Sequence, residues 1–271
     1  EDARDNYRVV LRFRDRLLAA GTLEGAYSGL FRAGSVDIPP LFIEQMAHDH
    51  LGRFAEDFAE DGLIPTTVRP FRGEAIPSLA KFDLMFVLGG AQNTWQVVEF
   101  NCLQEEKQAI REWVGEHAKP YFGICLGHQL LADAMGGRVG LAEKAEVGVF
   151  DIDVKDGKSI LAGLPLKMKV MQWHHAEVQS LPSGSKALAQ SQSTGIQAMQ
   201  LAKHAFSTQF HCEFTPQAVL GWAAVPSYIA ALEKELGENA HRGLIETCWP
   251  HMPAMARQTR MMWENFKRIV R

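Results

Sequence analysis

Pro120-Tyr121-Phe122-Gly123-Ile124-Cys125-Leu126-Gly127-His128-Gln129-Leu130-Leu131 decides how this chain folds. An apolar run of β type ends in Gly-x-Cys-x-Gly, and a helix-type run, Leu130 to Met135, follows without a spacer. A strand that turns directly into a helix with a nucleophile at the bend is a nucleophile elbow. Gly123 and Gly127 remove the side chains that would clash around so sharp a turn. The bend places the sulfur at a helix N-terminus, where the macrodipole and unsatisfied N–H groups favour thiolate. The N–H of Leu126 then points to where an oxyanion would form. A lone cysteine is by default a buried apolar side chain, so the nucleophile reading requires a base elsewhere in the chain.

Composition narrows the search. The chain has 271 residues, 46% of them hydrophobic, enough for one large α/β domain or two small ones. A net charge of −4 gives no basic field for nucleic acid or an anionic membrane. The four cysteines (Cys102, Cys125, Cys212, Cys248) are too scattered for a disulfide framework, and none forms a C-x-x-C pair. A reducing, cytoplasmic setting is the expectation. No signal-like N-terminal run and no apolar stretch of membrane-spanning length occurs in the sequence.

Working upstream, Phe82 to Leu88 is nearly continuous apolar sequence, as a central parallel strand requires. It ends in Gly89-Gly90, at the strand end where α/β sheets bind ligands, which makes Gly90 a candidate second oxyanion donor. Further strands are expected at 40–46 and 65–70, and helices at 51–61 and 103–117. Residues 1–38 read as an extension with a helix over 7–20 and a glycine-rich loop. His48-Asp49-His50 invites a metal reading, but a loop with polar caps is the better one, since a site needs more ligands.

Downstream, alternation predicts a strand at 145–154 and separate strands at 166–170 and 177–180, with Gln172 to Glu177 between them. Short strands at 186–189, 196–201 and 205–210 suggest an antiparallel edge. The last runs into His211-Cys212-Glu213. In a strand, residues two apart face one way, so Glu213 can orient His211, the base and orienter of a Cys-His-Glu relay. Helices are expected at 217–236 and 240–270, broken near Trp249-Pro250.

The stretch Gly123 to Gln129 resembles the nucleophile motif of class I (triad) glutamine amidotransferases. Phe210-His211-Cys212-Glu213 resembles their His-x-Glu motif, and Leu88-Gly89-Gly90 their oxyanion loop. Glu146-Val147-Gly148 and Trp173-His174 are similar to two further signatures of the family. The resemblance covers about residues 39–236 and is strongest to stand-alone proteins similar to the glutaminase half of GMP synthetase. It implies an α/β, flavodoxin-like, doubly wound sheet, mostly parallel, with an antiparallel β edge and C-terminal helices. The domains would be an extension over 1–38, a catalytic domain over 39–237 and a helical extension over 238–271.

The resemblance also implies roles. Cys125 attacks a γ-glutamyl carboxamide, His211 activates it and protonates the leaving amine, and Glu213 holds the histidine. Gly90 and Leu126 form the oxyanion hole, while Gly89, Gln129, Glu146, Trp173 and His174 line the substrate pocket. No metal or organic cofactor is implied. Three positions depart from the pattern: Cys212 and Ala91 where Pro is usual, and His175-Ala176 where Gly-Asp or Ser-Asp is common. Cys212 is expected to point away from His211.

The sequence favours a self-contained hydrolase of γ-glutamyl amines, γ-glutamyl peptides or glutamine. A glutaminase subunit feeding a separate synthetase or ligase is second, and a homodimer is compatible with either. A catalytically silent subunit, and a cysteine hydrolase sharing only the elbow, are weaker readings. There is no G-x-x-x-x-G-K-[ST] loop for ATP.

Overall fold

The computed structural model describes residues 40–46, 51–215, 218, 229, 230, 232–234, 237, 238 and 240–270. The expected N-terminal helix and loop, the His48-Asp49-His50 cluster and most of the 217–236 helix lie outside these residues. Among the described residues nine strands form one sheet in the order β2-β1-β3-β4-β9-β8-β7-β5-β6. They are β1 (Pro40–Ile43), β2 (Thr66–Val68), β3 (Leu84–Val87), β4 (Tyr121–Ile124), β5 (Arg138–Val154), β6 (Lys167–Ser180), β7 (Ser185–Gln190), β8 (Ala198–Leu201) and β9 (Ala205–Thr208). Strands β2, β1, β3, β4 and β9 pair in parallel. From β9 outward the pairing is antiparallel. The flavodoxin-like parallel half and the antiparallel edge are thus both present.

The central parallel strands β1, β3 and β4 are apolar and buried throughout because both faces are covered. Leu41 and Ile43 join one core with Met85, Val87 and Tyr121, whereas Phe42, Phe86 and Phe122 join the other. The three phenylalanines stack across neighbouring strands, with ring centroids 5.1 and 5.0 Å apart. Helices α2 (Cys102–Ile110) and α3 (Leu126–Ala134) supply Leu103, Ile110, Leu130 and Leu131 to the first core. Helices α1 (Phe54–Glu60) and α5 (Met252–Val270) cover the other face with Phe54, Phe58, Trp263 and Phe266. A shorter helix, α4 (Ala240–Cys248), packs on β5 and precedes α5.

Several expectations change. Residues 167–180 form one strand, β6, and not two strands with a loop between. Its polar centre stays in the sheet because the polar side chains find buried partners. Strand β5 begins at Arg138, well before the alternating stretch. Strand β9 ends at Thr208, so His211 and Glu213 follow the strand instead of extending it, with an isolated bridge between His211 and Met171. The helix expected over 103–117 is α-helical to Ile110 and then π-helical over Arg111–Glu116. Among the described residues no helix is long and apolar enough to cross a membrane.

Candidate active site

The elbow forms where β4 meets α3. Cys125 lies between them with φ 50° and ψ −102°. A non-glycine residue in that region costs about 1–3 kcal/mol and persists only where its surroundings enforce it. Here the Cys125 N–H donates to Thr208 O (2.8 Å), its carbonyl accepts from Gln129 N (3.1 Å), and Gly127 N donates to Leu88 O (3.2 Å). The flanking glycines permit the close approach. A Cβ on Gly123 would sit 2.7 Å from the main chain of Gly127, and one on Gly127 would collide with the Val87 carbonyl.

Gly89 and Gly90 follow β3 and lie beside the elbow. A Cβ on Gly90 would come within 2.9 Å of the Leu126 side chain and 2.6 Å of Gln45. Gly90 thus packs against the side chain of Leu126, the residue after the bend. Gln45 itself is anchored: its main-chain carbonyl accepts from Gln92 Nε2 (3.2 Å), and its amide donates to the buried carboxyl of Glu106 on α2. Burial pushes that carboxyl up to about 7, against the opposing hydrogen bonds from Gln45 and Cys102.

His211 and Glu213 arrive from the far side. His211 Nδ1 is 2.5 Å from Glu213 Oε1, and both side chains are buried. Burial alone would push the imidazole down. The Glu213 carboxylate and then Cys125, through charge and hydrogen bonding, outweigh it and hold His211 well above the ordinary histidine value. Glu213 Oε2 has no hydrogen-bond partner among the described residues, so the carboxylate leans on His211 alone. The Cys212 side chain turns into the apolar core, its sulfur 3.9 Å from Thr208 Oγ1.

Strand β6 crosses over the elbow. The carbonyl of Trp173 lies 3.9 Å from Cys125 Sγ, that of Met171 accepts from His211 N (2.9 Å), and that of Ala176 accepts from Gln129 Nε2 (3.0 Å). Trp173 thus meets the sulfur with its main chain. Both amide hydrogens of Gln129 are taken, the second by Gln209 Oε1 (3.0 Å). Glu146 and His174 bind each other (3.0 Å) in paired register on β5 and β6. Ser191 Oγ and Gln197 Nε2 also donate to Glu146, both at 2.6 Å, and His174 Nδ1 bonds Ala176 O (3.0 Å). These donors outweigh burial and hold the Glu146 carboxyl below its ordinary value. Glu146 is 0% exposed, and its carboxylate is engaged by this network.

One residue was not singled out in the sequence. Gln209 is fully buried, and its Nε2 points at Cys125 Sγ from 3.7 Å. It lies two residues before His211, so the same period-two argument that paired His211 with Glu213 would have placed Gln209 beside them.

A family model described as glutamine amidotransferase class-I matches residues 57–219. The chain belongs to the class I glutamine amidotransferase family. This amidotransferase is 44% identical over 109 residues to a glutamine-hydrolyzing GMP synthase subunit of Thermococcus kodakarensis, a match covering 39% of the chain and 56% of the relative. It is 42% identical over 167 residues to the protein of the same name from Sulfolobus acidocaldarius, covering 61% of the chain and 84% of the relative. The chain spans little more than half the length of the Thermococcus relative. Its fold resembles that of a glutamine amidotransferase from Thermotoga maritima, with a TM-score of 0.78 at 24% identity, over 86% of this chain and 99% of that one.

Proposed function

We propose that this amidotransferase hydrolyses glutamine and passes the ammonia to a synthetase on a separate chain. The observation that carries the reading is the convergence of Cys125, His211 and Glu213 at a strained elbow, with Gly90 and Leu126 side by side. The Cys125 thiolate attacks the γ-carboxamide carbon, forming a C–S bond and a tetrahedral oxyanion. The N–H groups of Gly90 and Leu126 would receive that charge. His211 gives its proton to the departing nitrogen, so ammonia leaves and a γ-glutamyl thioester remains. Water, deprotonated by His211, attacks the thioester, glutamate departs, and the proton returns the pair to its starting state. Glu213 holds the imidazole throughout, and Gln209 supports the thiolate through its amide.

The names of the relatives support delivery to a synthetase over the self-contained hydrolase that the sequence favoured. The synthetase itself, and the acceptor it aminates, belong to the proposal. The test is glutamate release from glutamine by the pure chain, alone and with candidate synthetases, beside a panel of γ-glutamyl amines. The expected result is glutaminase activity that rises with a synthetase partner. Turnover of a γ-glutamyl amine far above glutamine, with no effect of any synthetase, overturns delivery. Failure of a γ-glutamyl diazoketone to label Cys125 overturns the chemistry.

A further inference from the structure

The segment that carries His211 and Glu213 has no regular secondary structure, yet it is buried. Buried carbonyls outside helices and strands need donors from elsewhere. Phe210 O accepts from Thr208 Oγ1 (2.9 Å), and Glu213 O accepts from Arg53 N (2.9 Å). The carbonyl between the two relay residues, Cys212 O, accepts from the hydroxyl of Thr259 on α5.

Thr259 is 0% exposed. A threonine inside a helix ordinarily returns its hydroxyl to the carbonyl four residues back. Met255 O is at 2.9 Å for that purpose, and Cys212 O is a second acceptor within reach of the same hydroxyl. Helix α5 is tied to α1 by side-chain bonds. Arg260 bonds Asp57 (2.8 Å) and Glu60 (2.6 Å) on α1, and Trp263 Nε1 and Lys267 bond Asp61 (2.6 and 2.7 Å) just beyond it. Helix α1 in turn starts at the Gly52-Arg53 turn that grips Glu213. A Cβ on Gly52 would collide with the Glu213 carbonyl. One clamp thus holds the relay from both sides, its halves tied by the α1–α5 ion pairs.

We propose that Thr259 is a positioning residue for the His211–Glu213 pair, and that α5 is thereby part of the catalytic apparatus. The inference rests on the relay read under Proposed function. It goes beyond it, because Thr259 lies outside the residues 57–219 matched by the family model.

The experiment compares Thr259→Val, Thr259→Ala and Thr259→Ser in the full chain. Two rates are measured: Cys125 alkylation by iodoacetamide at neutral pH, followed by peptide mass spectrometry, and glutamine turnover. Small displacements of a catalytic group carry large rate costs. Val and Ala should each slow alkylation about tenfold and lower kcat about tenfold with KM unchanged, whereas Ser should stay within about twofold of wild type. Wild-type rates in Val or Ala overturn the proposal, as does an equal loss in Ser. If Val does not fold, Ala decides the matter. If the wild type does not hydrolyse glutamine, the function reading fails, while alkylation still reports whether Thr259 sets the Cys125–His211 pair.

Discussion

Replacing Glu213 by Gln tests the relay at its most exposed joint. Glutamine keeps the size and can still accept the Nδ1 proton of His211 through its carbonyl oxygen. It loses the charge, and its amide hydrogens must occupy the place of Oε2, where no hydrogen-bond partner stands among the described residues. The lost interaction is a buried, charge-assisted hydrogen bond with a 2.5 Å separation. Bonds of that class contribute about 1.5–3 kcal/mol. Carried in full into the step that uses the imidazolium, this corresponds to roughly 10- to 150-fold in rate. The sign follows from the competing influences on His211. With Glu213 neutral, burial loses the first-ranked charge opposing it, so His211 holds its proton less tightly and the imidazolium beside Cys125 is less populated at neutral pH. Iodoacetamide alkylation at pH 7 and glutamine kcat should both drop within that range. His211→Ala should cost more, since it removes the base itself. If Glu213→Gln alkylates and turns over at the wild-type rate while its melting temperature is unchanged, Glu213 does not support His211 and the relay is misassigned.

Other outcomes follow from the same geometry. Cys125→Ala should lower glutamine turnover by at least about 10⁴-fold, measured against an unchanged circular dichroism spectrum. Gly127→Ala drives a methyl into the Val87 carbonyl and should destabilise the fold by about 3 kcal/mol in urea unfolding, the upper end of overpacking costs. The buried Glu106 carboxyl sits at about 7 against an unfolded value of 4.5. The native state therefore holds this proton more tightly: its stabilisation is full below pH 4.5 and is lost as pH rises to about 7, a change of about 3 kcal/mol. Glu106→Gln should remove that loss, so the variant should be more stable relative to wild type at pH 8 than at pH 5 by urea unfolding.

Much of this architecture was legible because local rules and tertiary needs agree. Gly123-Ile124-Cys125-Leu126-Gly127 announces the bend, and the apolar run before Gly89 announces a strand covered on both faces. Legibility failed where polar side chains are buried against one another. Gln172 to His175 look like a loop until Gln197, just before β8, bonds Gln172 and Glu146 on β5 bonds His174. The early part of β5, over 138–144, is largely solvent-facing ribbon with no apolar alternation to betray it. At the relay, the sequence correctly paired His211 with Glu213 but assumed a strand, while the chain leaves the sheet at Thr208 and is held by Thr259 and Arg53. Partners so distant in sequence leave no local pattern.

Strand β6 presents three carbonyls to the elbow region, from Met171, Trp173 and Ala176, each meeting a different part of it. A slip of one residue against β5 would turn every side chain of β6 to the opposite face and withdraw all three carbonyls together. The Glu146–His174 pair is satisfied in only one alignment of the two strands, so it acts as a vernier for the hairpin. The sulfur's surroundings are therefore completed in a single event when that hairpin locks. During refolding, helix and strand signals should return before Cys125 regains its reactivity, because the elbow is local in sequence and the strand that completes it is not.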